Sequence, residues 1–175
     1  MSKLICIVLV LLSFIAGAIG DSPIPPSEDQ IIKSPNAKFE ASITLEPPQT
    51  TVFDVSGAGQ RQLLWSKPGF HRIAFLADDG RHLITVYGGA NLIPLDYSPG
   101  LVLLEFFDGP KLVRRVTVSE IMPDLSKLER SVSHYAWGNR WGLDSEGYFN
   151  VETVDLRRLK FDVSSGKIVI TESHP

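Results

Sequence analysis

Three phenylalanine–aspartate pairs recur in this chain at a constant interval: Phe53-Asp54, Phe107-Asp108 and Phe161-Asp162, each 54 residues from the next. The words around them match as well: VFDVSGAG, FFDGPK and KFDVSSGK. In each copy an apolar run ends at the aspartate and a glycine follows, Gly57, Gly109 or Gly166. A second run then begins: QRQLLWS, KLVRRVTV or KIVITES. A strand, an Asp-led turn with a glycine free to take positive φ, and a return strand make a β-hairpin. A second hairpin lies upstream of each. SPNAKFEASI, LADDGRHLITV and LDSEGYFNVET share a polar turn followed by a strand. Two hairpins per unit predict a four-stranded antiparallel sheet, with units at about 29–68, 69–121 and 131–173.

Four strands in a period of roughly 40–50 residues are the pattern of β-propeller blades. The fold class expected is therefore all-β, with about three propeller-like blades forming an incomplete propeller. A β-sandwich or barrel is the alternative, but neither calls for the 54-residue echo. IAFLADDGRHLITVY (Ile73 to Tyr87) resembles the inner hairpin of WD40-type blades, and SPNAKF resembles its turn. The Gly-His and Trp-Asp dipeptides of WD40 repeats are absent. The run from DDGRHLITVYGG through KLVRR to SVSHYAWG also resembles uncharacterised secreted bacterial proteins. Those resemblances imply export and propeller-like strands, and no activity.

The central hairpin predicts its own packing. A turn at Ala77 to Gly80 would set Ile73 opposite Ile84, His71 opposite Val86 and Phe75 opposite His82. Ile73, Phe75, Ile84 and Val86 then share one face, and Ala74, Leu76, Leu83 and Tyr87 the other. Both faces are apolar, as a sheet buried between two others requires. Three units leave two end sheets, whose outer faces are expected to be apolar and uncovered. One short helical insert is expected within Ser119–Arg130, SEIMPDLSKLER, with Asp124 capping a turn after Pro123.

The first twenty residues stand outside this scheme. Lys3, the apolar run Leu4 to Leu12 and the small residues Ala16-Gly17-Ala18-Ile19-Gly20 read as a signal peptide cleaved between Gly20 and Asp21. The apolar run is short for a membrane span; an uncleaved N-terminal anchor is the alternative. DSPIPPSEDQ, residues 21–30, reads as a disordered proline-rich arm before a single domain over 31–175. The only cysteine is Cys6, so cleavage leaves no thiol, no disulfide and no Cys-ligated metal. It leaves 155 residues of the 175, and loss of Lys3 takes the formal charge from −3 to −4. That length suits one domain. The acidic balance gives no footprint for nucleic acid; Arg114-Arg115 and Arg157-Arg158 read as solvated strand faces.

Catalytic constellations are sparse. His71, His82, His134 and His174 form no metal motif, no Gly-x-Ser-x-Gly occurs, and no cofactor is expected. Ser164-Ser165-Gly166, Asp78-Asp79 and the three Phe-Asp aspartates read as turn chemistry. Ser131–Trp141, SVSHYAWGNRW, departs from the repeat. His134, Tyr135, Trp137, Asn139, Arg140 and Trp141 could recognise a sugar ring or a protein hot spot. The plainer reading puts Trp137 and Trp141, four apart on one strand face, in the core of the third sheet. The insert Gly88–Gly100 is a second candidate surface. The leading expectation is a secreted or periplasmic, non-enzymatic module that binds a protein or glycan, free of the membrane once cleaved. One rival is a hydrolase or lyase in which His134, Tyr135 and an acid converge in a pocket. Another is a structural envelope protein that self-associates through open sheet ends.

Overall fold

The computed structural model describes residues 25–57 and 59–173. The signal segment, the Gly20–Asp21 cleavage point, the first residues of the arm and His174 lie outside the described residues. The first sheet is a meander of β1 (Gln30–Lys33), β2 (Phe39–Leu45), β3 (Pro48–Asp54) and β4 (Gln62–Pro68). The second begins with β5 (Ile73–Leu76) and β6 (His82–Val86). The chain leaves it for β7 (Leu92–Pro94), then returns as β8 (Val102–Asp108) and β9 (Lys111–Thr117). A helical turn α1 (Val118–Ile121) and a 3-10 turn (Leu125–Lys127) lead to β10 (Glu129–Arg130) and β11 (His134–Ala136), which join β7 in a small three-stranded sheet. The third large sheet is β12 (Gly138–Leu143), β13 (Tyr148–Thr153), β14 (Arg157–Asp162) and β15 (Ile168–Ser173). Among the described residues the chain is thus nearly all-β, in propeller-like four-stranded antiparallel blades. None of its helices is long and apolar enough to cross a membrane.

The echo marks equivalent places. Phe53, Phe107 and Phe161 each sit on the third strand of a large sheet, and each aspartate ends that strand. Their neighbours explain the stacking. Leu76, Leu83 and Phe107 pack with Ala41, Ile43 and Val52 of the first sheet. Ile84, Leu104 and Phe106 pack with Phe149, Leu159 and Phe161 of the third. The second sheet is therefore apolar on both faces because both are covered. The adjoining turns are joined as well: the Asn36 amide donates to Asp78 Oδ1 at 2.7 Å, and Asn36 Nδ2 to the Asp78 carbonyl at 2.9 Å. Asp79 takes the Arg81 and His82 amides of its own turn.

Several local expectations change. The central hairpin pairs Ile73 with Val86 and Phe75 with Ile84, two residues on from the expected register. The Ala77 amide donates to the His82 carbonyl, so the turn closes one pair further out. A shift of two preserves each strand side chain's face, which is why the packing expectation survives within the strands; Tyr87, just past β6, instead packs with the cluster of Ile84, Val86 and Phe106. The first echo's positive-φ glycine is Gly59 (φ +73), not Gly57. The helical stretch is broken in two, and Glu129–Arg130 is strand. The third sheet opens at Gly138 rather than Ser131. Residues 134–136 instead pair with Leu92–Pro94, so the Gly88–Gly100 insert carries a strand of the small sheet. The outer face of the third sheet is charged, with Arg140, Glu152, Arg158 and Glu172 in one cross-strand row.

Gly109 and Gly166 hold φ of +57° and +64°. A Cβ on Gly109 would meet nothing within 4 Å, whereas one on Gly166 would lie 2.8 Å from the Phe106 ring and 3.0 Å from Arg114 Cβ. Gly109→Ala should cost about 1–2 kcal/mol from backbone strain alone. Gly166→Ala should cost clearly more in urea denaturation, because Phe106 is wholly buried and cannot swing clear. Equal losses would show that the ring yields.

Candidate functional site

The two junctions between large sheets differ in chemistry. Where the second sheet meets the third, its rows are Ile73–Val86–Leu104–Val116 and Phe75–Ile84–Phe106–Arg114. Where it meets the first, one row is equally apolar, Leu76–Leu83–Phe107–Leu112, but the next is Ala74–Thr85–Glu105–Arg115. The facing row of the first sheet is polar at both ends: Gln30–Ile43–Thr50–Lys67. Two polar rows thus meet at one end of an otherwise apolar junction.

The connection from β4 to β5, Gly69-Phe70-His71-Arg72, is fastened over this seam. Gln30 Nε2 donates to the His71 and Arg72 carbonyls at 2.7 and 3.1 Å. Thr50, fully buried, donates to the Gly69 carbonyl at 3.0 Å. Lys67 Nζ reaches His71 Nε2 at 2.7 Å and lies 4.4 Å above the Phe107 ring. The His71 ring is 5.7 Å from the same phenylalanine. Glu105 accepts from Arg115 at 3.0 Å.

Burial sets the protonation of this pair. It pushes His71 down from 6.5 to about 4, the Lys67 charge pushes the same way, and Glu105 opposes both. Burial also lowers Lys67, again opposed by Glu105. At neutral pH His71 is therefore a neutral ring, and its Nε2 lone pair accepts from the lysine ammonium. That lone pair is engaged, so His71 is not poised as a general base.

Beside the seam is a cavity of about 470 Å³ lined by Ser27 of the arm, Phe70, His71, Arg72, Thr85, Tyr87 and Glu105. Its wall carries one guanidinium, Arg72, and one carboxylate, Glu105, and Arg115 engages that carboxylate from outside the lining. Arg72 is half-buried and has no carboxylate partner among the described residues. A second hollow of about 430 Å³ lies on the outer face of the third sheet. There Lys160 is held by Asp144 and Glu146 at 3.3 and 3.1 Å, and Arg140 is exposed to water.

The residues singled out in Ser131–Trp141 are not brought to one place. His134 and Tyr135 lie on the small sheet, His134 Nδ1 against Ser133 Oγ at 2.9 Å and Tyr135 edge-on to Tyr97. Trp137 is wholly buried; its indole donates to the Ala90 carbonyl at 2.9 Å and stacks on Trp141 at 5.1 Å. Trp137 thus fills core rather than presenting a contact surface. Asn139 sits at a bulge of β12 and reaches the Thr153 carbonyl at 3.4 Å. Arg140 points to the outer face of the third sheet, and Trp141, paired with Val151, to the inner one. Lys67, His71, Arg72 and Glu105 were not singled out by the sequence reading. The available signal was polarity in the wrong place: Thr85 within HLITV and Glu105 within VLLEFFD, mid-strand among apolar residues.

No protein-family profile and no curated protein sequence matches the chain. Solved structures similar to it include a periplasmic gluconolactonase of Pseudomonas aeruginosa, at 21% identity over 87% of this chain and 41% of that one, TM-score 0.42. The β-propeller domain of Myceliophteria thermophila Cps50 (Swd1) is similar at 15% identity over 83% and 42%, TM-score 0.41. Hydrazine synthase of Kuenenia stuttgartiensis is similar at 13% identity over 80% and 35%, TM-score 0.40. The chain spans less than half the length of each.

His71 predicts a pH window. Its folded value of about 4 lies below 6.5, so the unfolded chain binds more protons between the two. The stability it contributes is complete above 6.5 and is lost as pH falls toward 4. Carboxylates such as Asp79, Asp144 and Asp162, held below 3.8, contribute their loss only at lower pH. The urea midpoint should therefore decline from pH 6.5 to 4, and His71→Gln should flatten most of that decline. An unchanged slope would place the titrating group elsewhere.

Proposed function

We propose that this protein is an exported, non-enzymatic binding module that takes a small anionic solute, an acidic sugar being the best fit, into the cavity beside the seam of its first two sheets. The observation that carries this reading is the half-buried Arg72 at the cavity wall, without a carboxylate partner among the described residues, next to a junction whose counterpart is more apolar. A guanidinium offers a planar fork to a carboxylate or phosphate. Phe70 and Tyr87 line the same cavity, and aromatic side chains suit a sugar ring. Thr85, Ser27 and Glu105 supply hydroxyl and carboxylate partners for its hydroxyls. The bond from Lys67 to His71 favours binding over acid–base chemistry, since it ties up the base and holds the ammonium at the seam. Export follows the N-terminal signal reading.

Isothermal titration with uronic acids, sugar phosphates and their neutral counterparts tests it. The anionic members should bind, weakening as salt rises, and the neutral ones should not. Arg72→Ala should weaken binding about 10–100-fold, the range of a charge-assisted hydrogen bond of about 1.5–3 kcal/mol. Lys67→Met should weaken it less. Equal binding of neutral and anionic members, or full affinity in Arg72→Ala, would overturn the assignment.

A further inference from the structure

The echo gives each large sheet a phenylalanine on the same side. Phe107 is buried where the second sheet meets the first, and Phe161 where the third meets the second. Phe53 occupies that position on the first sheet, and among the described residues the face that carries it meets no other large sheet. Its rows read Ile31–Ser42–Thr51–Ser66 and Lys33–Glu40–Phe53–Leu63. Ile31 and Leu63 are 60% and 58% exposed. Arg61 lies over the Phe53 ring at 3.8 Å and reaches Glu40 at 2.7 Å.

The opposite end is built otherwise. The outer face of the third sheet carries the row Arg140–Glu152–Arg158–Glu172, followed by Gly142–Asn150–Lys160–Ile170, in which the one large apolar side chain stands on the edge strand. A polar outer face is how a terminal repeat ends a stack. Setting this face on Phe53 of another copy would bury paired charges against apolar side chains, at a desolvation cost. Head-to-tail addition is therefore disfavoured. The first sheet's outer face is different, because it is complementary to itself. It sets Phe53 and Leu63 side by side on β3 and β4, with Ile31 exposed two strands away on β1, among both signs of charge, Glu40 and Arg61. A two-fold axis sets such a face against its own copy, exchanging the Arg61–Glu40 pair between chains.

We propose that the protein is a two-fold homodimer through the outer face of its first sheet. The test is sedimentation velocity with light scattering over a wide concentration series, on the chain lacking its first 20 residues. The wild type should be a dimer that does not grow further. Leu63→Asp and Ile31→Asp should each weaken the dimer about tenfold or more. Ile170→Asp, at a 40%-exposed position on the third sheet's outer face, should leave it intact. Arg61→Glu and Glu40→Arg should each weaken it, and the double exchange should restore it. All of these positions but Glu40 are solvent-accessible, so circular dichroism should stay native; for Glu40 the rescue by the double exchange shows that the variant folds. A monomer throughout, species that grow beyond the dimer, or a dimer lost equally in Ile170→Asp would overturn the proposal.

Discussion

Phe106 and Phe107 are adjacent on β8, so their side chains leave opposite faces of the second sheet. One is wholly buried in the junction with the third sheet and the other almost wholly in the junction with the first. Neither could be covered by a two-layer sandwich in which this sheet had a wet face. Everything else in the stack follows from meeting that demand twice. Each neighbouring sheet must present an apolar face, each must sit beside its predecessor in sequence, and the meander within each sheet allows both. Burying a phenylalanine is worth about 1.5–3 kcal/mol, and the repeat places one at each junction, Phe107 at the first and Phe161 at the second.

The polar seam is notable because the fold does not require it. The second sheet's other face shows that the equivalent row can be apolar from end to end: Ile73, Val86, Leu104, Val116. Between the first two sheets the same architecture buries Thr50 and Thr85 and lowers the pKa of both Lys67 and His71. Polar groups moved from water into such a place are unfavourable unless they find partners. Thr50, Gln30 and Lys67 find theirs on the backbone and ring of the 69–72 connection. Arg72 finds none among the described residues. A junction that forgoes apolar burial at one end, with Arg72 on the wall of the adjoining cavity, carries more polarity than stacking requires.

Much of this was legible in the sequence, and the failures have physical reasons. The period and the side-chain parity survive a register error of two, because parity is all that a strand's pattern encodes. The register itself was set by Asp79, whose carboxylate gathers two amides and lets the hairpin close at Ala77 and His82. The two tryptophans could be read as core or as surface because spacing alone does not say which strand they share. The chain changes sheets between Ala136 and Gly138, putting Trp137 at the crossing, where Ala90 takes its indole proton. The seam was hidden for another reason. Lys67 and Glu105 are far apart in sequence and come together only when one sheet's row is laid against another's.

The two ends of the stack also separate what a repeat dictates from what its surroundings dictate. The repeat dictates Phe53; it cannot dictate what lies beside it. In the other two copies the ring is sealed by a neighbouring sheet, while here a partly exposed guanidinium lies across it. A cation over an exposed ring is worth about 0.5–1 kcal/mol, less than the burial that the equivalent rings obtain. The remaining apolar surface, enlarged by Ile31 and Leu63, is a standing driving force for association. The third sheet's outer face has its central strands filled with paired charges and keeps a large apolar side chain, Ile170, only on the edge strand, so the force there is weaker. Association should therefore be confined to one end, and an association confined to one end of an asymmetric stack stops at two.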